Sequence, residues 1–144
     1  MTEITSDRCM NISLLVLRVG IGIVMMIHGI PKLMAGPDLW EKLGMAMGAF
    51  GINFAPTFWG FMAGFSEGIG GLFLILGLGV RVFAALLSFT MIVAVMMHFG
   101  KGDSFQVYSH ALSLAIVFLS LLVSGGGCCS IGARISTLAG RWFQ

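Results

Sequence analysis

The sequence predicts an all-α integral membrane protein: a four-helix bundle with a short interfacial helix between its first two spans and an amphipathic C-terminal tail. Three observations carry this. The 144 residues are 58% hydrophobic and 10% charged, whereas soluble domains carry about a quarter charged residues, so this chain needs a bilayer as solvent. Its apolar residues fall into runs of about 20, the length that crosses the hydrocarbon core at about 1.5 Å per residue. One carboxylate, Glu67, stands near the centre of such a run, where a charge costs several kcal/mol unless it faces partners or a wet cavity.

Residues 1–11 are polar and mixed in charge, and are expected to fray. The first span covers residues 12–34. It is too long for a signal peptide and contains Arg18, so it is read as a retained helix, with Pro31 and Pro37 loosening its far end. Residues 35–56 are less apolar. Within them Asp38-Leu39-Trp40-Glu41-Lys42-Leu43 suits a short helix at the membrane interface anchored by Trp40, or an ordered loop.

The second span covers residues 56–78. Gly60, Gly64 and Gly71 share the face of Glu67 by i, i+3/i+4 spacing, which allows a neighbouring helix to approach closely. Gly77-Leu78-Gly79-Val80-Arg81 is a very short turn, so the third span, residues 82–99, runs antiparallel to the second. Gly100-Lys101-Gly102-Asp103 precedes the fourth span, residues 105–123, which ends at Gly125-Gly126-Gly127. Residues 131–143 are too short and too polar to cross, and read as an interfacial tail. One transmembrane domain over residues 1–144 results, with both termini on one side. Arg8, Arg81, Arg134 and Arg141 on that side, against Lys32, Lys42 and Lys101 on the other, place the termini in the cytoplasm and the chain in the inner membrane.

The composition also excludes functions. A net charge of +2 without a basic cluster gives nucleic acid nothing to hold. Cys9, Cys128 and Cys129 form neither a disulfide framework nor a zinc or iron–sulfur set; Cys128-Cys129 reads as a juxtamembrane thiol pair, open to S-acylation. Gly68-x-Gly70-Gly71 lies inside a membrane helix, not at a strand–turn–helix junction, so no nucleotide site is implied.

The polar residues converge. Arg18, Met25, His28 and Lys32 fall within about an 80° sector of the first span. Glu67 lies mid-depth on the second, His98 at the outer end of the third and His110 near the outer start of the fourth. The fourth also carries Gln106, His110, Ser113, Ser120 and Ser124 as a stripe. Each has a plainer reading: His28 capping a carbonyl, Lys32 snorkelling, His98 and His110 at the interface, the serines as packing glue, the eleven methionines as adaptable filler, and Glu67 paired with Arg18.

Arg18-x-Gly20, His28-Gly29 with Lys32, Glu67-Gly68 with Gly70-Gly71, Gly79-x-Arg81 and His98, in this order, resemble the DoxX family of membrane proteins over about residues 14–132. The family often ends in Gly-x-Gly-x-x-Ser-x-Asp; Gly125-x-Gly127-x-x-Ser130 matches, and Gly132 stands where the acid would be. The resemblance implies a membrane subunit near quinone chemistry. On that expectation Glu67, His28 and His98 are the catalytic candidates, with Lys32, Arg18 and His110 lining a quinone site. His28, His98 and Lys32 would donate to carbonyls and Glu67 would relay protons. Electrons would come from a redox partner, and the chain could form homo-oligomers. A His28/His98 haem is conceivable, but nothing selects for it. A scaffold for a soluble partner, or a small transporter whose ion binds Glu67, are the competing functions.

Overall fold

A computed structural model describes residues 2–133 of the chain, with side chains from Met10 onward. Five α-helices and one 3-10 turn follow one another: α1 (Thr2–Met34), α2 (Pro37–Gly44), a 3-10 turn (Met45–Phe50), α3 (Pro56–Leu76), α4 (Val80–Gly100) and α5 (Phe105–Ser124). Among the described residues four segments are long and apolar enough to cross a membrane: Met10–Met34, Pro56–Leu76, Val80–Gly100 and Phe105–Ser124. These match the four spans read from the sequence to within two residues at each end.

Two local differences have physical causes. The segment expected to fray is helical back to Thr2, since residues 2–11 contain neither Gly nor Pro to stop a helix. Pro31 does not end α1; the Ala35 amide still donates to the Pro31 carbonyl at 3.0 Å. A proline so near the end forfeits one bond and keeps a helical φ. The helix stops three residues later, before Gly36 at φ 84°.

The α3–α4 turn is built by glycine. Gly77 takes φ 71°, its amide bonds the Leu74 carbonyl, and the Leu78 amide bonds the Phe73 carbonyl. This is a Schellman ending, in which a left-handed residue lets the chain reverse while capping the last carbonyls. Four crossings then bring the chain back to its starting end. There the Cys128 amide donates to Asn11 Oδ1 at 2.9 Å, and the Gly132 amide to the Gly77 carbonyl at 3.0 Å. We call this the terminal end and the opposite one the α2 end.

The core joins all four spans through Met25, Leu74, Leu87, Met91, Phe118 and Leu121. α1 and α3 meet along a seam without Cβ atoms. A side chain at Gly29 would overlap the backbone of Gly68 and Glu67, and one at Gly71 would press on the Gly22 carbonyl. In lipid such seams gain van der Waals contact that larger residues would forbid. The seam sets where α1 places its polar groups against α3. The amphipathic tail read from the sequence lies, beyond residue 133, outside the described residues.

Candidate functional site

Glu67 points into the bundle, 2% exposed. Its partner is Lys32: Nζ lies 2.6 Å from Oε2. Arg18, the other partner considered for this acid, is elsewhere. The reason is the Gly29–Gly68 contact, which sets the last turn of α1, with Lys32, beside the middle of α3 and leaves Arg18 near the terminal end. Lys32 is therefore not free to snorkel, although 31% of its side chain remains exposed. The pair joins a buried anion to a cation at the edge of a cavity.

That cavity has a volume of about 370 Å³ and lies at the α2 end, between the 3-10 turn, α3 and α4. Lys32, Glu67 and Ser66 supply its polar side, and the walls include Met62, Phe89, Val93 and Met97. Ser66 Oγ and Thr90 Oγ1 lie 2.9 Å apart, joining α3 to α4 within the lining. Phe58 and Phe89 line it and are also exposed on the outer surface of α3 and α4, so that flank is open to lipid. Lys42, from α2, also lines it. Trp59 is a further lining residue, and its indole N–H is buried without an acceptor. A buried donor with no partner is costly, and a ligand acceptor would relieve it.

α2 forms the roof. The helix expected around Trp40 is present, but Trp40 ties α2 to the bundle: Nε1 donates to the Lys32 carbonyl at 2.8 Å and its ring meets Phe61 edge-on at 5.0 Å. Gly60 allows this, because a Cβ there would overlap the Trp40 backbone.

The other sequence candidates are not brought to this cavity. His28 and His110 are exposed on α1 and α5. His98 is half-buried at the end of α4, where Nδ1 lies 2.7 Å from Asp103 Oδ2. The convergence of three histidines with Glu67 is therefore not seen: a shared half of the membrane is not a shared side. The α5 serines are exposed and bond their own helix, Ser113 to the Ser109 carbonyl at 2.8 Å and Ser120 to that of Ile116 at 2.9 Å. Among the described residues they bond to no second helix.

Arg18 has a site of its own. It is 1% exposed and donates through Nη1 to the Gly126 carbonyl at 2.5 Å and through Nη2 to the Cys129 carbonyl at 3.2 Å. Its guanidinium fills the space beside Gly77 where a side chain would otherwise stand. It clasps the loop after α5 to α1.

Sequence reasoning missed Trp59, Ser66 and Thr90. The first two were within reach: Trp59, Met62, Ala63 and Ser66 follow i, i+3/i+4, i+7 and so share a face. Thr90 carried no such signal.

Four helices long and apolar enough to span a membrane, with a buried carboxylate paired to a partly exposed ammonium at the edge of a cavity, define a polytopic membrane protein with a polar site inside its bundle. Residues 13–100 match the DoxX family model, and the chain belongs to the DoxX family. The match includes Arg18, His28, Lys32, Glu67, Arg81 and His98; it stops before α5 and the glycine-rich ending, short of the residue 132 reached by the motif resemblance. No curated protein and no solved structure matches the chain.

Proposed function

We propose that the chain is the quinone-binding subunit of a membrane oxidoreductase, with the quinone ring in the cavity beside Lys32 and Glu67. The observation that carries the reading is the ion pair at the edge of an otherwise apolar, lipid-open cavity. A volume of about 370 Å³ falls within the usual range of about 300–1,000 Å³ for small-molecule sites. A quinone reaches such a site from the bilayer and brings two acceptor oxygens. The Lys32 ammonium is one donor; the Trp59 N–H, unpartnered and closed off in the ligand-free bundle, becomes the second when the indole turns towards the ring. Reduction to hydroquinone takes up two electrons and two protons. Lys32 and Glu67 are the groups placed to pass protons to the carbonyl oxygens. The electrons come from a partner redox protein, and the termini face the cytoplasm. His28, His98 and His110 have no direct part in this arrangement.

The competing reading, a scaffold in which the pair only fixes helix register, draws on the position of Lys32–Glu67 beside the Gly29–Gly68 contact. Titrating a short-chain quinone into the purified protein and following tryptophan fluorescence separates the two. Saturable quenching in the wild type, lost in a folded Glu67→Leu variant, supports the quinone site. Equal quenching in both favours the scaffold.

A further inference from the structure

At the terminal end, remote from the cavity, two side chains with metal-binding chemistry stand together. Cys128 and Cys129 are both exposed, and their Sγ atoms lie 3.8 Å apart. Their backbone is already fixed to α1. The Cys128 amide is held by Asn11 Oδ1 at 2.9 Å and the Cys129 carbonyl by Arg18 Nη2 at 3.2 Å. Ser130 adds a hydroxyl bond to the Gly127 carbonyl at 2.8 Å and receives the Ala133 amide at 3.0 Å. Both thiols are thus presented from a dipeptide whose backbone is tied to α1, which lowers the entropy lost when a ligand joins them.

The pair is poorly suited to closing on itself. Neighbouring Cα atoms across a trans peptide are about 3.8 Å apart, short of the roughly 4.4–6.8 Å that ordinary disulfides span. The sulfurs are well spaced for a shared cation. With metal–sulfur bonds of about 2.3 Å and tetrahedral angles, two thiolates on one metal stand about 3.8 Å apart, the separation observed.

We propose that Cys128 and Cys129 form a bidentate dithiolate site for a soft, thiophilic divalent cation. Binding replaces two S–H protons by two metal–sulfur bonds, releases two protons to solvent and changes no oxidation state. Among the described residues no group of three or more His, Cys, Asp or Glu could hold a metal. Cys128 and Cys129 are thus the two ligands that the described residues supply.

Cd²⁺ titration of the detergent-purified, reduced protein tests this, in a Cys9→Ser background so that the third thiol of the sequence does not contribute. The expected result is a thiolate-to-cadmium charge-transfer absorbance that saturates at one equivalent per chain, is reversed by a chelator, and falls at least tenfold in apparent affinity in Cys128→Ser and in Cys129→Ser. The serine variants should keep the parent's thermal midpoint, since the backbone bonds to Asn11 and Arg18 do not involve sulfur. Absence of the band at one equivalent, or a band unchanged in the Cys128→Ser/Cys129→Ser double variant, overturns the proposal. The quinone titration reads the opposite end of the bundle and is unaffected by either result.

Discussion

Lys32 Nζ sits 2.6 Å from Glu67 Oε2, joining the last turn of α1 to the middle of α3 at the edge of the cavity. The two partners are unequally buried, the carboxylate almost fully and the ammonium only in part. Their removal should therefore be unequal too. Lys32→Met leaves a buried anion unpaired and is expected to cost about 2 kcal/mol or more, while Glu67→Gln, which leaves a cation that is only partly buried, costs less. The Lys32→Met/Glu67→Leu double variant should recover most of the loss. Thermal midpoints in one detergent measure all three; equal losses in the two single variants would contradict the asymmetry.

The glycine seam gives a matched pair of substitutions. A Cβ at Gly29 would overlap the backbone of Gly68, whereas one at Gly20 meets nothing within 4 Å. Gly29→Ala is expected to destabilise by about 1–3 kcal/mol through overpacking. Gly20→Ala should be neutral, or stabilising by up to about 1 kcal/mol from helix propensity. Thermal unfolding of the two variants side by side decides it.

Arg18 spans two carbonyls with one planar fork. Lysine carries the charge without the fork, so Arg18→Lys should lose at least one charged hydrogen bond, worth about 1.5–3 kcal/mol. The expected signature is local: faster amide exchange at residues 125–132, with the middle of α3 unchanged. Unaltered exchange in that loop would remove Arg18 from this role.

Trp59 makes a prediction of opposite sign in two states. Its indole N–H is buried without an acceptor, so Trp59→Phe should leave the ligand-free protein as stable as the wild type or more so. The same change should weaken quinone binding about tenfold, the worth of one good hydrogen bond. Isothermal titration on the variant, alongside its thermal midpoint, reads both.

The bundle was legible because membrane burial is written in long, simple runs: four apolar stretches, and Gly77 and Gly79 at the sharp reversal. Glu67 was legible for the same reason, since a lone acid in such a run has few acceptable surroundings. Its partner was not. Depth along a helix can be counted from sequence, but facing depends on which helices touch, and that is decided by the Gly29–Gly68 approach. His28 and Lys32, one turn apart on α1, therefore end differently, one exposed and the other on Glu67. Arg18 was misjudged for a related reason: its partners are carbonyls of Gly126 and Cys129, which no residue pattern marks.

The most direct test of the quinone reading is the quinone content of the protein purified gently from membranes, measured by organic extraction and chromatography. Wild type is compared with Ala63→Phe, whose ring would fill the cavity from the α3 wall, and with His110→Ala, on the outer surface of α5. Co-purified quinone in the wild type and in His110→Ala, with at least a tenfold loss in a folded Ala63→Phe, is the expected result. Quinone retained in Ala63→Phe at the wild-type level, or absent from the wild type, would contradict the assignment of this cavity.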